Sequence, residues 1–198
     1  MDSNSFYAHC FKQHGISPLS VGWKSKSRQR DRFNIFTRYT EFDYKSVLDI
    51  GSGLGDFYDH LKRIKKNCRY TGIDSCGVLV NAAQASFPLA TFRHTSLDEF
   101  DPIHPFDIVV ASGTFSFKLR DHLEQFFSNL QTAYRHANSV LMFNFLTEDF
   151  PQELKYPCFY YYNPDEVYQL CHRMSPAPIQ VALISDYMKG DCTAVLIK

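Results

Sequence analysis

The stretch VLDIGSGLGDFYDHL, from Val47 to Leu61, constrains the fold of this chain more than any other. An apolar run of strand length, VLDI, meets glycines at alternate positions, Gly51, Gly53 and Gly55. Apolar residues at helical spacing follow at once, at Phe57, Leu61 and Ile64. A strand, a glycine turn and a helix in that order let a ligand approach bare backbone at the carboxyl end of the strand. The acid Asp49 stands two residues before the first glycine.

The rest of the chain repeats this alternation. Strands are expected at 70–74 (YTGID), 90–94 (ATFRH), 106–112 (FDIVVAS) and 139–147 (SVLMFNFLT). Helices are expected around 25–40 and over 55–66, 78–86, 119–137 and 164–173, the last with Asn163 as its cap and Pro164 at its first position. Alternating strands and helices give an α/β fold with a parallel sheet between helical layers. The ending differs. IQVALISDY (179–187) and TAVLIK (193–198) flank the short turn MKGDC, too short for a parallel crossover, so the two strands pair antiparallel. The expectation is a seven-stranded, mostly parallel sheet with one reversed strand near the C-terminus. Residues 1–45 form an N-terminal helical cap, and 46–198 the core of the same domain.

Composition removes several function classes. Twenty-one basic and 21 acidic residues cancel, so no whole-chain field draws in nucleic acid or an anionic membrane. The basic run Lys24, Lys26, Arg28, Arg30, Arg32 and Arg38 therefore reads first as a solvated helix face. No apolar run is long enough to span a bilayer, and MDSNSFYAHC has no signal-peptide pattern. The six cysteines form no CxxC pair and stand at no metal-ligand spacing, which reads as free thiols in a reducing, cytoplasmic setting with no bound metal.

The glycine turn narrows the ligand. A dinucleotide fingerprint needs G-x-G-x-x-G, and Asp56 occupies the position of the third glycine. A carboxylate there competes for the donors a diphosphate needs and repels it. S-adenosylmethionine carries an ammonium, a carboxylate and a sulfonium but no phosphate, so an acid is tolerated. LDIGSGLGDF resembles the first motif of the class I S-adenosylmethionine-dependent methyltransferases, acid-x-Gly-x-Gly-x-Gly. Asp74, 19 positions beyond Gly55, stands where that family has the acid ending its second strand. FDIVVASGTFSF resembles the family's fourth motif, and the closing strand–turn–strand its reversed final strand.

The resemblance implies a three-layer Rossmann-like methyltransferase fold, with S-adenosyl-L-methionine as cofactor and S-adenosyl-L-homocysteine as product. It implies cofactor contacts at Asp49, Gly51, Ser52 and Gly53 (the amino-acid end) and at Asp74 and Ser75 (the ribose). Ser96 and Leu97 would flank the adenine, with Ser96 where family members often carry Asp, and Ala111 and Ser112 would lie beside the transferable methyl. Gly55 serves close packing. VGWKSKSRQRDRFNIF resembles a helical cap of small members of the superfamily, in which Arg32 could pair with the cofactor carboxylate and Trp23 anchors the packing. No catalytic base is identified. His122 is a candidate, against the commoner case of a surface histidine at a helix start. Phe115, Phe117, Phe6 and Tyr7 are candidates for an apolar wall around the reacting methyl. The segment after the fourth strand lacks the Asn-Pro-Pro-aromatic motif of base-amine methylases, and short insertions leave little room for a recognition domain, so a small-molecule acceptor methylated on O or N is expected. A cofactor-binding module without turnover, an RNA or protein methyltransferase and a nicotinamide oxidoreductase are the alternatives. The oligomeric state is not legible.

Overall fold

The computed structural model describes residues 2–23 and 25–198; Lys24 of the basic run lies outside them. The chain divides into two compact units, Met1–Asp101 and Pro102–Lys198.

The first unit contains helix α1 (Ser3–His14), a 3-10 turn at Pro18–Val21, α2 (Lys26–Tyr39), β1 (Ser46–Ile50), α3 (Asp56–Arg63), β2 (Arg69–Asp74), α4 (Gly77–Ser86) and β3 (Thr91–His94). Strand β2 pairs parallel with β1 and with β3. Register sets Asp49 beside Gly72 and Asp74 beside His94, so the carboxyl ends of the strands lie together. Ser25 caps α2, its hydroxyl accepting from the Arg28 N–H at 3.4 Å. The apolar face of α2 buries Phe33, Ile35 and Phe36. Phe33, Phe36 and Phe42 surround the Phe57 ring of α3, with centroids 5.2, 5.7 and 5.6 Å away. Full burial of one such ring contributes about 1.5–3 kcal/mol. The aromatic-rich N-terminal segment thus clamps the helix that the glycine turn opens.

The second unit contains β4 (Phe106–Ser112), α5 (His122–His136), β5 (Ala137–Leu146), α6 (Pro164–His172), β6 (Gln180–Ile184) and β7 (Asp191–Ile197). β4 and β5 are parallel, and β7 is antiparallel to both β5 and β6. Phe126, Leu130 and Tyr134 of α5 are buried, as are Phe143 and Phe145 of β5. Over the whole sheet the strand order is β3-β2-β1-β4-β5-β7-β6. This is the expected seven-stranded, mostly parallel sheet, and β7 is its reversed strand.

Three local differences have physical reasons. Helix α1 was not expected, because none of its residues is fully buried and its apolar positions form no clear stripe. Helix α3 stops at Arg63 rather than residue 66, where Lys65 turns to φ 60°. Helix α5 starts at His122 rather than Leu119, whose N–H donates instead to the His122 ring. It runs to His136, and β5 begins at the next residue with no loop between them.

Candidate active site

The turn after β1 is fastened to the end of β2. The N–H groups of Gly51 and Ser52 both donate to the Ile73 carbonyl, at 2.8 and 3.0 Å. The Gly53 N–H donates to Asp74 Oδ2 at 2.9 Å, and the Gly55 N–H to the Ser52 carbonyl at 2.9 Å. Gly53 has φ 52°, and a Cβ on it would meet Val21 Cγ1 at 3.0 Å. At Gly55 (φ 79°) a Cβ would meet Phe92 Cζ at 2.8 Å and Phe87 Cδ2 at 3.0 Å, in keeping with a packing glycine. Four donors that a phosphate-cradling turn would offer are therefore already taken. Asp56 opens α3 and accepts a 3.1 Å hydrogen bond from the buried Gln29 amide. A carboxylate at that helix start is favourable in itself and unfavourable for a diphosphate.

Asp74 is held from both sides. Its Oδ1 accepts from the Cys76 N–H at 2.8 Å while Oδ2 takes the Gly53 N–H. Each oxygen keeps a second lone pair, enough to receive a pair of hydroxyls. Burial pushes its pKa up, and the two backbone donors and His94 pull it back. Asp49 is only 2% exposed. Desolvation pushes it up to about 7; the Tyr70 hydrogen bond opposes this, and the charges of Asp74 and Asp56 add to it. Ser52 is also buried, and its hydroxyl has no hydrogen-bond partner among the described residues.

Ser75 donates from its hydroxyl to Asn4 Oδ1 of α1 at 2.7 Å. Ser96 and Leu97 follow β3 and are half-buried; Ser96 Oγ donates to Glu99 Oε2 at 2.9 Å, so its lone pairs remain available. The structure thus brings Asp49, Gly51, Ser52, Gly53, Asp74, Ser75, Ser96 and Leu97 to the strand ends of the first unit. Arg32 is buried, with its guanidinium 4.3 Å from the centroid of the Trp23 ring.

In the second unit, Ala111 and Ser112 end β4, in register with Phe143 and Asn144 of β5. Phe115 is buried against Phe126 and Phe143, with centroids 6.1 and 6.2 Å away, so it fills the core. Phe117 is half-buried, edge-on to Phe159. His122 is 7% exposed and stacks on Tyr160 at 4.1 Å. Its Nδ1 accepts from the Leu119 N–H at 3.2 Å, and its Nε2 lies 2.5 Å from the Tyr162 hydroxyl, which donates to the Phe115 carbonyl at 2.6 Å. This order of donors assigns the ring proton to Nε2 and leaves neither nitrogen a vacant lone pair. Burial lowers His122 to about 4, helped by Lys118. Among the described residues no group of three or more His, Cys, Asp or Glu could hold a metal ion, and no two cysteines are joined in a disulfide.

Sequence reasoning missed Tyr70, Asn4 and Cys76. Tyr70 had a signal, since it lies two residues from Gly72, the register partner of Asp49, on the same face of the sheet.

Residues 47–137 match the model of a methyltransferase domain family. The Mycobacterium tuberculosis (strain ATCC 25618 / H37Rv) protein named "Putative methyltransferase Rv1506c" is 31% identical over 161 residues, which cover 77% of this chain and 93% of that protein. The chain belongs to the class I S-adenosylmethionine-dependent methyltransferases. Solved methyltransferases share its fold. Magnesium protoporphyrin IX methyltransferase from Synechocystis PCC 6803, with bound SAM, has a TM-score of 0.68 at 13% identity, covering 100% of this chain and 98% of that one. The plantazolicin methyltransferase BpumL, in complex with a triazolic desmethylPZN analog and SAH, has a TM-score of 0.72 at 14% identity, covering 98% of this chain and 96% of that one. No helix of this methyltransferase, among the described residues, is long and apolar enough to cross a membrane.

Proposed function

We propose that this chain transfers the methyl group of S-adenosylmethionine to an O or N atom of a small-molecule acceptor and releases S-adenosylhomocysteine. The observation that carries the cofactor choice is the glycine turn, whose Gly51, Ser52, Gly53 and Gly55 N–H groups are spent within the protein. Asp49, Asp56 and Asp74 stand at its margins. Such a turn suits a cationic nucleoside and resists a diphosphate. In this reading Asp74 receives the ribose hydroxyls with Ser75 beside it, and Asp49 and the Gly51–Gly53 backbone face the amino-acid end. Ser96 and Leu97 border the adenine, Arg32 is the partner for the cofactor carboxylate, and Ala111 and Ser112 border the methyl group.

Bound S-adenosylmethionine supplies an electrophilic methyl on a good leaving group, so little covalent chemistry is left to the protein. Its residues align and desolvate, and alignment of this kind is worth up to about 7–11 kcal/mol in intramolecular models. An amine or hydroxyl acceptor must also lose a proton. The geometry of His122 does not favour it for that step, so it is given the role of holding the segment after β4. Support for a small acceptor comes from proteins of the same fold, one acting on magnesium protoporphyrin IX and one from Haemonchus contortus crystallised with phosphoethanolamine.

Calorimetric titration with S-adenosylmethionine, S-adenosylhomocysteine and NADH tests the cofactor: the first two should bind and the third should not. Incubation with methyl-labelled donor and a metabolite extract tests turnover. Cofactor binding with no labelled product from metabolite, RNA or protein fractions would replace this reading with a regulatory module.

A further inference from the structure

Helix α1 takes no part in the reading above, yet it packs on both loops to which that reading gives the cofactor. Tyr7, Ala8 and Phe11 of α1, with Val21, pack against Leu54 of the glycine turn and against Cys76 and Leu79 at the start of α4. The first turn of α1 touches the segment directly after Asp74. Ser75 Oγ donates to Asn4 Oδ1 at 2.7 Å, and the Cys76 thiol donates to the Asn4 carbonyl at 3.9 Å.

The attachment is shallow. No residue of α1 is fully buried, and the Ser75–Asn4 hydrogen bond is exposed. Elements with few buried contacts open at low free energy. The other end of the helix differs. Gly15 closes α1 at φ 60° and ψ −142°, a region essentially reserved for glycine, and a Cβ there would meet nothing within 4 Å. Just beyond it, the fully buried Ser20 donates to the Gly15 carbonyl at 2.6 Å, and Val21 sits on Gly53. The segment after Gly15 is anchored, and the helix before it is lightly held.

We infer that α1 is the gate of the cofactor site: it pivots at Gly15, the Asn4–Ser75 hydrogen bond latches it, and cofactor enters and leaves when it lifts. The inference rests on the proposed cofactor reading. Asn4 is a positioning residue, acting through Ser75. Loss of the latch favours the open gate both with and without ligand, so entry and exit both quicken. A side chain that merely contacted the ligand would change exit alone.

The test is S-adenosylhomocysteine binding to the full chain by stopped flow, with wild type, Asn4→Ala, Ser75→Ala and the double variant, together with amide exchange of residues 3–14. Both rate constants should rise about three- to tenfold in Asn4→Ala, the range of one modest hydrogen bond. The dissociation constant should move less than either rate. The double variant should be no faster than Ser75→Ala, and exchange in residues 3–14 should slow when ligand is added. Unchanged rates in Asn4→Ala, with exchange in 3–14 indifferent to ligand, would overturn the gate while leaving the cofactor reading intact. Failure of wild type to bind the ligand would remove both.

Discussion

The Tyr70 hydroxyl donates to Asp49 Oδ2 across 2.5 Å, joining β2 to β1 beneath the glycine turn. This hydrogen bond favours the ionised form of a carboxyl group that burial pushes toward the protonated one. Burial raises Tyr70 as well, so the phenol keeps its proton and serves as donor. The pair holds an acid poised near neutrality where a cationic group is expected to arrive.

Cofactor affinity should therefore depend on pH. Free Asp49 titrates at about 7. A ligand ammonium beside it stabilises the ionised form, so binding below that pH must expel a proton. Affinity for S-adenosylhomocysteine should rise with pH up to about 7 and then level, with a limiting slope of about tenfold per pH unit on the acid side. Calorimetry in buffers of different ionisation enthalpy should register proton release at pH 6 and little at pH 8.

Asp49→Asn should separate stability from binding. An acid whose folded value is raised favours folding only while protonated, and the advantage fades as pH climbs from the unfolded value, near 4, through about 7. At pH 8 the amide, which still accepts from Tyr70, should be more stable than wild type by about 1–3 kcal/mol, and near pH 4 the two should match. Denaturant melts at both pH values measure this. Ligand affinity of the variant should fall.

Asp74→Ala should weaken S-adenosylhomocysteine about 100-fold or more, because it removes a charged acceptor and releases the Gly53 and Cys76 N–H groups that Asp74 holds. Asp74→Asn keeps one acceptor oxygen and should recover part of the loss. Titration calorimetry at fixed pH compares the three proteins.

Tyr162→Phe should destabilise the fold by about 1–3 kcal/mol, since it strands the His122 Nε2–H and the buried Phe115 carbonyl together. His122 is depressed to about 4, so the folded state resists protonation that the unfolded chain accepts near 6.5. Its contribution is complete above pH 6.5 and lost as pH falls through 4. In His122→Phe the acid side of the stability profile should flatten over that window. Loss of turnover in that variant with unchanged stability would restore a direct chemical role for the ring.

Gly55→Ala should cost about 1–3 kcal/mol, because the new methyl presses on Phe92 and Phe87 at a backbone angle that disfavours a side chain. The thermal midpoint gives the loss.

What was legible in the sequence was whatever a period or a turn residue encodes. The strands at 70–74 and 106–112 came from apolar runs, and the pairing of β6 with β7 from the shortness of the connecting turn. Asp49, Gly53 and Asp74 came from the resemblance of the glycine motif and the following strand to the methyltransferase family, and Asp74 and Gly53 meet in a hydrogen bond. What was hidden depends on long-range contact. Helix α1 lacks a buried stripe and is recognisable only through the surface it lies on. The ring of His122 looked like a free helix-start histidine because Tyr162, its partner, is 40 residues away. Phe115 looked like pocket lining, but its contacts with Phe126 and Phe143 place it in the core.

The Ile73 carbonyl, occupied twice by the Gly51 and Ser52 amides, bears on how such an enzyme could be re-engineered. Restoring glycine at position 56 would correct the consensus without freeing a single amide, because those bonds belong to the seam joining neighbouring strands. Converting this chain to nucleotide-dependent redox work would mean unstitching that seam, a step that damages the fold before it yields a new ligand.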